Sequence, residues 1–121
     1  MHNFFELVAQ IDQVPVNESY VSQIESAYSC TLPEFLRHLV SLPYPSVDPN
    51  EDPGVDIMNV AQIVHAEEDY GYEFKDHGLL PVLNKADGLF ACYDCQAKDW
   101  CLVHTSEDYI YKRSKSLIAL L

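Results

Sequence analysis

The sequence predicts an α+β domain: N-terminal helices and one mid-chain helix packed on a mainly antiparallel sheet, with a short C-terminal helix. Three observations carry this. From Leu79 to His104 the chain reads LLPVLNKADGLFACYDCQAKDWCLVH, three short apolar runs separated by Asn84–Gly88 and by Cys95–Asp99. Runs rich in Val, Leu, Phe, Tyr and Trp, broken by Asn, Asp and Gly, are the pattern of an antiparallel meander. Upstream, apolar residues recur at helical spacing behind capping residues. The order, helices first and then mainly strands, places the helices on one face of the sheet rather than between parallel strands.

The first helix is expected behind Asn3, with Phe4, Leu7, Val8 and Ile11 as its apolar stripe and Glu6 three residues after the cap. Val14-Pro15-Val16 breaks it, and Asn17 caps a second helix through Val21, Ile24 and Tyr28. Thr31 and Glu34 have the spacing for reciprocal capping, with Pro33 in the first turn, where no N–H is needed. The helix they open presents Leu32, Phe35, Leu36, Leu39 and Val40 on one face. Pro43, Pro45, Pro49 and Pro53 then punctuate a loop, SLPYPSVDPNEDPG, long enough to be functional or mobile. Val55–Met58 reads as a short strand. Asn59 with Gln62 repeats the capping pattern for a helix bearing Val60, Ile63 and Val64 and ending near Tyr70-Gly71. After the meander come a short strand at Tyr109–Tyr111 and the apolar stub SLIALL.

At 121 residues, 48% hydrophobic and 12% aromatic, the chain fits one domain, residues 1–121, with a core that needs no staples. The first dozen residues lack the basic start and small-residue cleavage site of a signal peptide, and no apolar run approaches the roughly 18–20 residues of a membrane span. A cytoplasmic location is expected, and with it four reduced cysteines. Nineteen acidic residues face seven basic ones, for a net charge of −12. Between Asp48 and Asp76 lie nine acids and one cation, Lys75. Such a surface repels nucleic acid and anionic membranes and steers basic partners; it also serves simple solubility.

The order of motifs resembles the SUKH superfamily, also called the Smi/Knr family. The residues that carry the resemblance are Leu32-Pro33-Glu34-Phe35-Leu36, the strand and capped helix from Ile57 to Val64, and Leu80-Pro81-Val82. They continue with the hairpin segment Asp87–Asp94 and with Ser116–Leu121. Two departures stand out: Leu42-Pro43-Tyr44-Pro45 replaces the usual Asn-Gly after the Leu-Pro helix, and Leu117 stands where an aromatic is common. The resemblance implies a non-enzymatic role without a cofactor. Bacterial members are typically immunity proteins that bind and block a cognate toxin, often a nuclease. The acidic surface fits a basic protein partner of that kind. The candidate contacts are Asp48, Glu51, Asp52 and Asp56 of the loop, then Glu67, Glu68, Asp69 and Glu73. Tyr70, Tyr72 and Phe74 are interleaved with them as aromatic anchors, unless they pack into the core.

Two sharper chemical readings compete. Cys92-x-x-Cys95 followed by Cys101-x-x-His104 supplies four ligands of a type zinc accepts, as in a small zinc-stabilised interaction module. Residues three apart on a strand point to opposite faces, however, and the alternative for Cys92 and Cys101 is two small buried hydrophobes on neighbouring strands. His65-x-Glu67 upstream of Cys92-x-x-Cys95 outlines a zinc deaminase, in which His and two Cys hold the metal and Glu shuttles protons. Against it, Ala91 stands where that motif has Pro, and the second half reads as turn and strand rather than helix. His2, His38 and His77 have no sequence-local catalytic partner, and Cys30, just before Thr31, reads as buried packing.

Overall fold

In a computed structural model of the chain, residues 8–42, 56–85 and 88–120 are described. The helix expected behind Asn3 and the proline-punctuated loop lie mostly outside them; beyond Val8 the chain closes in a 3₁₀ turn, Ile11–Gln13. Helix α1, Glu18–Tyr28, begins where predicted: the Asn17 side chain accepts the amide of Tyr20 at 3.2 Å, satisfying a donor that has no partner within the helix. It buries Val21, Ile24 and Tyr28, the i, i+3, i+7 stripe read from sequence.

Helix α2, Glu34–Leu39, begins later than its predicted cap requires. Pro33 stands at the N-cap with extended backbone, so Thr31 is too far out, and the expected Thr31–Glu34 pair does not form. Glu34 instead turns along the helix towards Arg37 and His38, and the Leu32 amide is received by the Glu25 carboxylate at 2.8 Å. The Asn59–Gln62 capping box does form, with both reciprocal bonds in place at 2.9 and 2.8 Å. The helix it opens is two pieces: α3, Val60–Val64, and α4, Ala66–Tyr70, meet at His65, whose backbone leaves the helical region. Three of the five residues of α3 are β-branched, which restricts side-chain freedom in a helix and suits a short turn. Gly71 ends α4 in the left-handed conformation that glycine adopts without strain.

The sheet is a five-stranded antiparallel meander in the order β1-β2-β3-β4-β5. Its strands are β1 (Asp56–Ile57), β2 (Leu79–Asn84), β3 (Leu89–Asp94), β4 (Asp99–His104) and β5 (Tyr109–Ser114). Pro81, which lacks a ladder donor, coincides with a bulge between Pro81 and Leu83. The register pairs Phe90 with Val103, Cys92 with Cys101 and Asp94 with Asp99, so these six share one face; Leu89, Ala91 and Tyr93 share the other with His104, Leu102 and Trp100. Phe74 packs edge-on against Phe90 on the first face, and Phe35 of α2 packs edge-on against Trp100 on the second. Both faces are therefore covered, which is why β2, β3 and β4 read as nearly continuous apolar runs. Phe74, Phe90, Ile24, Leu36, Leu39 and Ile63 are fully buried, each contributing about 1.5–3 kcal/mol of transfer free energy. The C-terminal stub forms a 3₁₀ turn at Ile118–Leu120, with Leu117 and Leu120 buried.

Cys30, just past the end of α1, and Cys95, which opens the β3–β4 turn, are joined in a disulfide with Cα atoms 5.8 Å apart across 65 residues of chain. This corrects the expectation of four reduced cysteines and of Cys30 as packing alone. The bond ties the helical N-terminal part to a sheet turn and shortens the loops open to the unfolded chain.

Candidate partner-binding surface

The acidic segment proposed as a contact surface is built on β1, α3, α4 and the turn that leads into β2. Asp56, Glu68, Asp69 and Glu73 are exposed there, as is Asp76 beyond them. Glu67 differs from its neighbours. It is half-buried, lies 3.8 Å from the Lys75 ammonium, and accepts the Lys75 amide at 2.9 Å. That carboxylate closes the 67–75 turn, and it engages the single cation of the segment; Lys75 also sits over the Tyr28 ring. The outward charge is thus left to the four exposed acids after Asp56. Asp48, Glu51 and Asp52 lie outside the described residues.

The three aromatics separate. Tyr70 is 39% exposed and rests its ring against Phe90, with centroids 4.8 Å apart. Its hydroxyl accepts from the Asn84 amide, so one end is anchored and the other faces solvent. Tyr72 is only 8% exposed and Phe74 is fully buried, which corrects the reading of both as anchors offered to a partner. Tyr72 instead donates to Asp108 at 2.7 Å and stacks on His77, whose Nε2 lies 3.3 Å from the same carboxylate. His77 Nδ1 faces the Glu73 carbonyl oxygen at 2.8 Å. Burial, and after it the bond to Asp108, raises the Tyr72 hydroxyl well above the ordinary tyrosine value, so it stays a donor. These contacts pin the 71–77 turn to the β4–β5 turn and border a shallow depression of about 240 Å³ lined by Tyr72, Glu73, His77 and Asp108.

The sulfur-rich stretch divides in the same manner. Cys92 and Cys101 are directly opposed on β3 and β4, both buried and free. Burial pushes the Cys92 thiol well up and that of Cys101 to about 11, which leaves both protonated and unreactive at neutral pH. Cys95 is committed to Cys30, and His104 belongs to the opposite face from Cys101. The set Cys92, Cys95, Cys101 and His104 is therefore not gathered at one point, and among the described residues no three His, Cys, Asp or Glu side chains are placed to hold a metal. The deaminase outline meets the same obstacle: His65 is exposed at the α3–α4 junction, Glu67 closes its turn, Cys92 is inside the sheet and Cys95 is bridged.

Sequence reasoning overlooked Asp108 as the shared acceptor of Tyr72 and His77. It also overlooked Arg113, which reaches Asp94 at 3.1 Å and Asp99 at 2.9 Å and so straps three strands together. Only alternation on strands of known register would have paired Arg113 with Cys101 and hence with those acids. The fold and site define the class as a meander α+β protein with an acidic helical shoulder. No family model matches the chain, and neither does any curated protein or solved structure. No helix among the described residues is long and apolar enough to cross a membrane.

Proposed function

We propose that the chain is a non-enzymatic binding protein of the SUKH type, an immunity protein that neutralises a cognate toxin by covering a basic surface on it. One observation carries the reading. The exposed acids Glu68, Asp69, Glu73 and Asp76 lie within nine residues, and the one cation beside them, Lys75, is paired with Glu67. A nuclease site is built to hold phosphate and is therefore basic, so it attracts such a surface from beyond contact distance and speeds association. Tyr70 adds a partly exposed, well-seated aromatic ring at the edge of the acids.

The test uses the product of the gene beside this chain's own, which the proposal expects to be a toxin. Co-expression should protect cells from it, and the purified pair should associate at a rate that falls as salt rises. Replacing Glu68, Asp69 and Glu73 together by their amides should slow association about tenfold while leaving folding intact. Absence of protection, or salt-insensitive binding, sinks the proposal. So does one equivalent of tightly bound zinc in the purified protein, which would revive the metal readings.

A further inference from the structure

Four large hydrophobic residues are exposed among the described residues, and three of them are consecutive on β5: Tyr109 at 56%, Ile110 at 38% and Tyr111 at 50%. Among the described residues, strand β5 closes the meander and is hydrogen-bonded within the sheet to β4 alone, so it is an edge strand there. Isolated surface apolar residues need no explanation, but a run of them on an edge that is unpaired among the described residues is a template for another strand; here the register shift opposite Leu102 and Val103 makes Tyr111 a bulge residue and divides that edge into two short segments. The flanking charges say which strand. The segment reads Glu107-Asp108-Tyr-Ile-Tyr-Lys112-Arg113-Ser-Lys115, with acids at one end, bases at the other and the apolar centre between. A strand of that polarity complements itself when two copies run antiparallel, because each acidic end then meets the partner copy's basic end.

The charge of the whole molecule points to the same edge. Residues 97–121 hold four cations against three carboxylates, whereas residues 48–76 hold one cation against nine acids. Two copies of a −12 protein repel each other, and the C-terminal edge is where they can approach with least cost. Glu107, Lys112 and Lys115 are exposed there, while Asp108 and Arg113 already serve Tyr72, His77, Asp94 and Asp99.

We propose that β5 is a self-association strand, pairing antiparallel with β5 of a second copy to make a two-fold symmetric dimer with one continuous sheet. The contact is small, one strand edge and two clusters of side chains, so the dimer is weak and concentration-dependent. Its acidic end adjoins the 71–77 turn of the acidic shoulder through Asp108, so the two surfaces meet there.

Sedimentation velocity across a concentration series tests this with charge reversals. The unmodified protein should show a monomer–dimer equilibrium. Glu107→Lys alone, or Lys112→Glu with Lys115→Glu, should each weaken it about tenfold by setting like charges opposite one another. The variant with all three reversals should regain the original dimer, since it exchanges the two ends of the strand. A protein that stays monomeric at every concentration overturns the proposal. So does a dimer indifferent to the single-end reversals, or one that the combined reversal does not restore.

Discussion

Strands β3 and β5, each six residues long, both run antiparallel to β4, yet they are opposite in character. β3 buries every residue after Leu89, while β5 buries none of its own fully. Membership of the sheet and contribution to the core are thus separate properties. Backbone bonds to β4 hold β5 in place, whereas side chains on two faces hold β3. What the sheet does not use on β5, the Tyr-Ile-Tyr run and its flanking charges, is left facing outward. The acidic shoulder shows the same division at residue level: Glu67 and Tyr72 work inward, and Glu68, Asp69 and Tyr70 do not.

The largest effect should come from the β3 side. Phe90 sits under Tyr70 and Phe74, so Phe90→Ala leaves a cavity as well as losing transfer free energy, at about 4 kcal/mol in a denaturant titration. Removing the Cys30–Cys95 bond by the double serine variant should cost about 4 kcal/mol, because the cross-link closes 65 residues of chain. The same titration with and without reductant checks it. Alkylation of the native, unreduced protein should label neither Cys92 nor Cys101, and unfolding should expose both.

Asp94, the last residue of β3, reaches β5 through Arg113. Burial by itself would raise its carboxyl, but the amides of Ala97 and Gln96 and the Arg113 guanidinium outweigh that and hold it below the usual aspartate range. A depressed folded-state value means the stabilisation is fully present above the unfolded value, near 3.9, and is lost as pH falls through the folded one. Asp94→Ala should therefore cost about 2 kcal/mol at neutral pH and progressively less on acidification. Asp94→Asn, which retains an acceptor for the two turn amides but not the charge facing Arg113, should cost about half as much. An Asp94→Asn variant as stable as the unmodified protein would show that the charge contributes nothing to joining β3 to β5.

The elements legible in the sequence are those whose signals are local. Asn17 with its stripe, the Asn59–Gln62 box and the three apolar runs each lie within a dozen residues, and each forms. The Thr31–Glu34 box has the same local signal and fails, because Pro33 takes the cap with extended backbone and shifts the helix start. Contacts that close over distance left no such trace. The Cys30–Cys95 bond, Asp108 beneath Tyr72 and His77, and Arg113 between two acids all depend on register and on how the 71–77 turn crosses the sheet. Within the candidate surface, the acids were readable from charge alone. Which of them faces inward was not, since Glu67 and Glu68 are indistinguishable until Lys75 is placed.

The smallest effect on folding should be at the outer strand. Tyr109 pairs with His104 across the ladder and meets the Tyr111 ring at 5.0 Å, so it has neighbours but little burial. An exposed aromatic pair of this kind contributes about 0.5–1 kcal/mol, and Tyr109→Ala should lower stability by no more than that when measured dilute. At higher concentration the same variant should lose the self-association attributed to β5, where its ring lies in the apolar centre of the contact. A change nearly silent in the monomer and disruptive in the dimer would set β5 apart from β3, where the Phe90 change is costly at any dilution. Should Tyr109→Ala destabilise the monomer as strongly as Phe90→Ala, β5 would be a structural strand like its neighbours, and its exposed tyrosines would need no partner to explain them.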